Sequence, residues 1–128
     1  MIRGTWERIV AGYLILQAAS VLAWWTWLLS NPEPWRHFVG PGMPASVLRC
    51  FFAADIALYV LLGGAAIFRL ARGKPYVRSL LLLRAGGELY ATLAAYGLAF
   101  ESRGGWLGAV LMTGSTAVSL FLVSRLRP

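Results

Sequence analysis

Four long apolar runs divide the chain, and polar or proline-containing stretches separate them. Their approximate bounds are 6–29, 44–70, 76–100 and 105–123. Each run has roughly the 20 residues that a helix needs to cross the hydrocarbon core of a bilayer. None of them alternates apolar and polar residues with a period of two, as a strand of a membrane barrel does. The pattern therefore predicts an all-α fold, an integral membrane four-helix bundle.

The composition supports a membrane location for the whole chain, which we interpret as a single transmembrane domain over residues 1–128. Of the residues, 59% are hydrophobic and 13% are charged, whereas about 25% are charged in an average soluble domain. So few polar side chains cannot cover a water-facing surface, and the excess apolar side chains are expected to face lipid. The first run is longer than the apolar region of a signal peptide, and we expect it to be a retained helix.

Lysine and arginine are distributed unequally between the two ends of the predicted helices. Eight lie on one side, namely Arg3, Arg8, Arg69, Arg72, Lys74, Arg78, Arg125 and Arg127. The opposite side has Arg36 and Arg103, with Arg49 just inside the second helix. Because basic residues are enriched in cytoplasmic connections, we expect the N- and C-termini both to be cytoplasmic. In a bacterial host the membrane would be the inner (plasma) membrane.

The connection over residues 31–43 is long enough to have structure of its own. Its prolines preclude a long helix, and we expect an outer interfacial segment at the level of the lipid headgroups. Tryptophans near that level predict an interfacial belt, whose members are Trp24, Trp25, Trp27, Trp35 and Trp106. A cap over a cavity is the alternative interpretation of this segment.

Ionisable residues interrupt the third apolar run within LLLLRAGGELYATL, residues 80–93. When the four runs are aligned at their midpoints, a thin polar layer lies near the middle of the bilayer. Its members are Gln17, Asp55, Tyr59, Glu88, Tyr90, Thr113, Ser115 and Thr116, and Arg84 lies one turn nearer the cytoplasm. Charges at that depth are costly, so they normally face the interior of a bundle in pairs.

Arg84 and Glu88 are four residues apart and share one helical face. The second and third helices should be antiparallel neighbours. This predicts that the long Arg84 side chain bridges Glu88 in its own helix and Asp55 in the next. Two interpretations of this polar cluster stay open: it fixes helix packing, or it is a candidate site for a proton or another ligand.

The single cysteine and the single histidine exclude several kinds of site. With only Cys50 and His37, the chain cannot form an internal disulfide, a zinc site of paired Cys and His residues, or a haem held by two of its own histidines. We assign no cofactor, no metal and no catalytic residue. The formal net charge is +7, but nucleic acid is not an expected partner, because the basic residues cluster at the ends of apolar runs.

Three functions are compatible with the sequence. The preferred one is a non-enzymatic accessory or assembly subunit that packs in the membrane through the Arg-Glu-Asp cluster. The alternatives are a small oligomeric transporter or channel linked to protons or cations, and a membrane enzyme that processes lipids or sterols. The expected partners are membrane lipids and either further copies of the chain or a larger membrane protein.

Overall fold

The computed structural model of the chain describes residues 4–31, 33–44 and 46–126, and its main elements are four long helices. They are α1 (Thr5–Ser30), α2 (Ser46–Ala71), α3 (Val77–Ser102) and α4 (Trp106–Arg125). For this part of the chain, the prediction of an all-α fold with four helices is confirmed. Arg3 and Arg127, which contribute to the predicted orientation, lie outside the described residues, as do Pro32 and Ala45.

Three of the helices in the described ranges, α1, α2 and α4, are long and apolar enough to cross a membrane. Helix α3 has the same length as α1, 26 residues, but it carries Arg84 and Glu88 near its middle. Large apolar side chains are exposed on every helix, for example Leu16, Leu61, Leu93 and Leu111. By length and composition, the chain is therefore that of a membrane protein.

Consecutive helices run antiparallel, and their contacts form two separate apolar cores. The first core lies where α1 begins and α4 ends, and it contains Val10, Ala11, Leu14, Ala66, Leu70, Leu81, Leu122 and Val123. The second core lies at the other end and contains Trp25, Leu28 and Trp35. The buried polar residues lie between these two cores.

Helix α2 changes its winding at mid-length. Residues Ile56–Leu62 form a π-helical segment between two α-helical parts. A π-helix bonds each N–H to the carbonyl five residues earlier, so the side chains that follow are rotated about the axis relative to an α-helix. Asp55 directly precedes this segment and Tyr59 lies within it. The direction of Tyr59 relative to Asp55 therefore depends on the change of winding.

The connector between α1 and α2 folds back over the end of the bundle. It contains a short 3₁₀-helix, Glu33–His37, which is attached to α1 by a hydrogen bond from Trp35 Nε1 to the Leu28 carbonyl (2.7 Å). Gly40 lies against the turn between α3 and α4. A Cβ atom on Gly40 would be 2.5 Å from the carbonyl oxygen of Ser102, so only glycine permits this approach.

Helices α1 and α4 diverge toward the connector. They meet near Tyr13, whose hydroxyl donates to the backbone carbonyl of Ser115 (3.1 Å), and they make few other contacts. Helices α3 and α4, by contrast, have the most extensive contact of any pair, including hydroxyl groups of Thr92 and Thr116 that are 2.9 Å apart. The divergence of α1 from α4 leaves a cavity between them on the side of the connector.

Candidate functional site

Arg84 and Glu88 form an ion pair in the interior of the bundle. Nη2 of Arg84 lies 2.9 Å from Oε1 of Glu88, and the two side chains are only 2% and 0% exposed. Their spacing of four residues on α3 places both on one face of the helix. The other helices of the chain thus enclose the pair on every side.

The guanidinium of Arg84 also has a partner on each of the other three helices. Its Nε donates to the Leu58 carbonyl on α2 (3.1 Å), its Nη2 donates to Oε1 of Gln17 on α1, and its Nη1 lies 3.5 Å from the Ser119 hydroxyl on α4. The guanidinium carbon is 5.0 Å from the centre of the Tyr59 ring, within the range of a cation–π interaction. Arg84 therefore joins all four helices.

The backbone of α2 reaches Arg84 because α2 and α3 approach closely at Gly87. A Cβ atom on Gly87 would lie 2.5 Å from Cδ2 of Leu58, so the absence of a side chain makes space for Leu58. Leu58 belongs to the π-helical segment.

The carboxylate of Glu88 has fewer partners than the guanidinium of Arg84. Within the described ranges, neither of its oxygens accepts a well-directed hydrogen bond, although Oε1 is at ion-pair distance from Arg84. The hydroxyl of Thr92 donates to the backbone carbonyl of Glu88 instead (2.8 Å). The charge of Glu88 is therefore balanced chiefly by Arg84.

Asp55 belongs to a different site, which corrects the predicted bridge from Arg84 to Asp55. Its Oδ2 accepts a hydrogen bond from Nε1 of Trp25 on α1 (2.7 Å), and no ion pair joins it to Arg84 among the described residues. The physical reason is the different depth of the two groups along α2. Arg84 lies beside Leu58 and Gly63, further from the connector than Asp55, while the Asp55 carboxylate contacts Trp25 on α1.

Tyr90 also lies outside the cluster, contrary to the predicted polar layer. Its side chain is 76% exposed. Two residues along a helix correspond to a rotation of about 200°, so Tyr90 points away from the bundle when Glu88 points into it. Gln17 and Tyr59, which also belong to the predicted layer, both lie against Arg84.

Two polar residues that were not among the predicted site residues complete the interior, Tyr13 on α1 and Ser119 on α4. Their hydroxyl oxygens are 3.2 Å apart, and Gln17 Nε2 donates to the nearby Ser115 hydroxyl. Tyr13 precedes Gln17 by four residues, and Ser115 precedes Ser119 by four. Polar residues at this spacing in apolar helices are the sequence signal for a polar inward face.

A cavity of about 470 Å³ lies between this polar layer and the connector. Its floor contains Tyr13, Gln17, Tyr59 and Ser115, its walls are mostly apolar, and connector residues between 38 and 43 cover it. The position of the connector therefore agrees with the alternative interpretation of this segment, a cap over a cavity. Asp55 is the sole charged side chain among the described residues that line the cavity.

Arg84 and Glu88 do not line the cavity. Gln17 lies between the cavity and Arg84, because its side chain lines the floor and accepts the hydrogen bond from the guanidinium. A separate void beside Arg84 measures about 10 Å³, which is at the lower limit of the space for one water molecule. The ion pair is therefore sealed, whereas Asp55 is accessible from the cavity.

The predicted tryptophan belt divides into buried and exposed members. Trp25 and Trp35 are buried in the second core and use their N–H groups inside the protein, so they are not part of a lipid-facing belt. Trp24 is partly buried and packs edge-on against Phe38, with ring centres 4.6 Å apart. Trp27 and Trp106 are exposed.

Metal binding receives no support from the part of the chain that the structure describes, where no group of three or more His, Cys, Asp and Glu side chains could hold an ion. His37 and Cys50 are both exposed. No protein-family model matches the chain, and no curated protein or solved structure is significantly similar to it. Its function must therefore be inferred from the geometry of its own residues.

Proposed function

We propose that the chain is a four-span integral membrane protein and that it serves as a non-enzymatic accessory or assembly subunit. In this proposal both termini face the cytoplasm, and in a bacterial host the membrane is the inner membrane. The excess of Lys and Arg at the end where α1 begins and α4 ends supports this orientation. The exposed apolar side chains of all four helices supply a surface for lipids and for a partner within the membrane.

The contacts of Arg84 are the observation that carries this proposal. Its guanidinium has partners on α1, α2 and α4, and it pairs with Glu88 on α3. An acid that acts in catalysis or transport must be reached by substrate or solvent. The void beside Arg84 is too small for a substrate, so the geometry supports a role of the pair in helix packing.

The outward face of α3 offers a surface on which a second copy of the chain can pack. Six exposed residues recur along it at alternating spacings of three and four, namely Leu83, Gly86, Tyr90, Leu93, Gly97 and Phe100. This is the repeat of one helix packed along another, and its glycines allow the two backbones to approach. The hydroxyl of Tyr90 would have no hydrogen-bond partner in hydrocarbon unless a neighbouring helix covered it. The proposal therefore includes a homodimer contact along α3.

Light scattering of the protein extracted in mild detergent tests this contact. Gly97→Leu should convert a dimer to a monomer, because the added side chain would hold the two backbones apart. Gly12→Leu is a matched control, since Gly12 is exposed on α1 and, like Gly97, has no atom within 4 Å of a Cβ position. A monomeric wild type, or equal dissociation of both variants, would contradict the contact.

Purification from native membranes tests the accessory role itself. The wild-type chain should retain a discrete larger membrane protein, and Gly12→Leu should retain it as well. Arg84→Leu should lose the partner together with its own helix packing, because the partner surface depends on the relative positions of the helices. A wild-type chain that carries lipid and further copies of itself, but no other protein, would show that the accessory role is wrong.

A transporter is a second candidate function, and the position of Asp55 in the cavity favours it. In this candidate a homo-oligomer moves a cation past Asp55, whereas Glu88 lies outside the cavity. Asp55→Asn should abolish uptake into proteoliposomes. The exposed acid Glu101 provides the control, because Glu101→Gln removes the same charge away from the cavity and should leave uptake unchanged.

A further inference from the structure

Among the described residues that line the cavity, Asp55 is the single charged one, and none of them supplies a counter-charge to its carboxylate. Trp25 donates to its Oδ2, and no other hydrogen bond from a described residue reaches the carboxylate. Arg84, the buried cation among the described residues, forms its ion pair with Glu88 instead. A carboxylate in a mainly apolar cavity is costly unless a cation or a strong donor approaches it. The cavity is therefore electrostatically complementary to a cation.

Aromatic side chains share the cavity with Asp55. They are Tyr13, Trp24, Trp25, Phe38, Phe51 and Tyr59. The faces of aromatic rings attract organic cations, and the attraction increases where water is excluded. A metal ion would need several oxygen ligands close together, whereas this lining provides one carboxylate, and its remaining polar side chains are uncharged hydroxyl and amide groups on mostly apolar walls. The combination suits a cation that is attached to an apolar body.

The cavity opens sideways between α1 and α4. Four of the residues that line it are also exposed: Leu16 and Ser20 on α1, and Leu111 and Val118 on α4. In a membrane this opening would face the hydrocarbon, so an apolar molecule could enter without passing the connector. The volume of about 470 Å³ lies within the range of roughly 300–1,000 Å³ that is typical of sites for drug-sized ligands.

We propose that this cavity binds a lipophilic organic cation, with the cationic group beside Asp55 and the apolar groups between α1 and α4. Trp25 acts as a positioning residue in this site, because its hydrogen bond holds the carboxylate at the cavity wall. The proposal goes beyond the accessory role, and it depends neither on that role nor on the homodimer contact along α3.

Equilibrium binding of tetraphenylphosphonium to the purified full chain in non-ionic detergent tests the proposal. Tetraphenylborate has nearly the same shape and the opposite charge, which makes it a matched control ligand. The wild-type chain should bind the phosphonium saturably at one site, and the borate at least about tenfold more weakly, because the carboxylate attracts one charge and repels the other. Asp55→Asn should weaken phosphonium binding by about tenfold or more, because it removes this attraction between charges, whereas Glu101→Gln should leave it unchanged.

A variant that fills the cavity keeps the test independent of any effect of Asp55 on folding. Gly114 lines the cavity and has no atom within 4 Å of a Cβ position, so Gly114→Trp should block phosphonium binding while the protein stays folded. Gly12→Trp, at an equally open glycine outside the cavity, should bind as the wild type does. Equal binding of the two ions, or phosphonium binding that survives both Asp55→Asn and Gly114→Trp, would overturn the proposal.

Discussion

Nε of Arg84 donates a hydrogen bond to the backbone carbonyl of Leu58 at 3.1 Å. This bond holds the guanidinium of Arg84 against the π-helical part of α2. Asp55, three residues before Leu58, instead accepts a hydrogen bond from Trp25. The bundle thus has two polar sites with different surroundings: the sealed Arg84–Glu88 pair and the carboxylate at the cavity wall. Substitutions at the first site should change stability, and those at the second should change ligand binding.

Arg84→Leu should destabilise the protein strongly, because it leaves the buried Glu88 carboxylate without its counter-charge. Removal of one partner of a buried pair typically costs about 3–5 kcal/mol. Arg84→Leu/Glu88→Leu should recover a large part of that loss, since apolar side chains can often replace a buried pair at little cost. Unfolding of the detergent-solubilised protein in an SDS titration, followed by circular dichroism, measures both free energies. If the double variant is no more stable than Arg84→Leu, the loss of stability does not come from an unpaired Glu88 carboxylate.

Gly87→Ala should destabilise the protein by about 1–3 kcal/mol, although alanine is the better helix former. The added Cβ would lie 2.5 Å from Cδ2 of Leu58, so the Leu58 side chain must move and the approach of α2 to Arg84 is disturbed. Gly12→Ala should be neutral or slightly stabilising, because Gly12 is exposed on α1, lies outside the proposed homodimer contact, and has no atom within 4 Å of a Cβ position. The same SDS titration compares the pair, and equal effects would argue against the close approach.

The sequence predicts those features of the fold that depend on short-range spacing. The lengths of the four apolar runs indicate four helices, because a helix rises by a fixed distance per residue. The contact between Arg84 and Glu88 needs only a separation of four residues on one helix. The same rule could have excluded Tyr90 from the cluster, since a rotation of about 200° separates it from Glu88.

Features that depend on the packing of one helix against another could not be predicted from the sequence. Helical geometry with a constant 3.6 residues per turn predicts the direction of Asp55, but the π-helical segment changes the winding directly after it. Trp25 points away from Trp24 and Trp27, whose ring centres are 5.4 Å apart on another face of α1, and only the register with α2 determines that Trp25 is the buried one. For the same reason, the backbone carbonyl of Leu58 could not be identified as a partner of Arg84.

Trp25→Phe should reduce stability because it removes the N–H group that donates to Asp55. A hydrogen bond to a charged group contributes about 1.5–3 kcal/mol. The control is Trp27→Phe, since Trp27 is exposed on the same helix. A double-mutant cycle with Asp55→Ala isolates the interaction of the two side chains, and we expect a coupling free energy of about 1 kcal/mol or more. If Trp25→Phe costs no more than Trp27→Phe, the hydrogen bond contributes nothing to stability.

Gly40→Ala should loosen the connector that covers the cavity. The added Cβ would lie 2.5 Å from the carbonyl oxygen of Ser102, and a backbone atom cannot rotate out of the way as a side chain can, so the connector itself must shift. Phe38 and Val39 donate their backbone N–H groups to the Trp35 carbonyl at 3.0 and 3.1 Å, and their amide hydrogens should exchange faster in the variant.

Hydrogen exchange measured by mass spectrometry detects this change. Gly12→Ala provides the control, because Gly12 is exposed on α1, lies outside the proposed homodimer contact, and has no atom within 4 Å of a Cβ position. Exchange in the first apolar core should be the same in both variants, since residues such as Leu14 and Leu70 lie at the opposite end of the bundle. Unchanged exchange of the connector in Gly40→Ala would mean that the approach of Gly40 to Ser102 does not hold the connector in place.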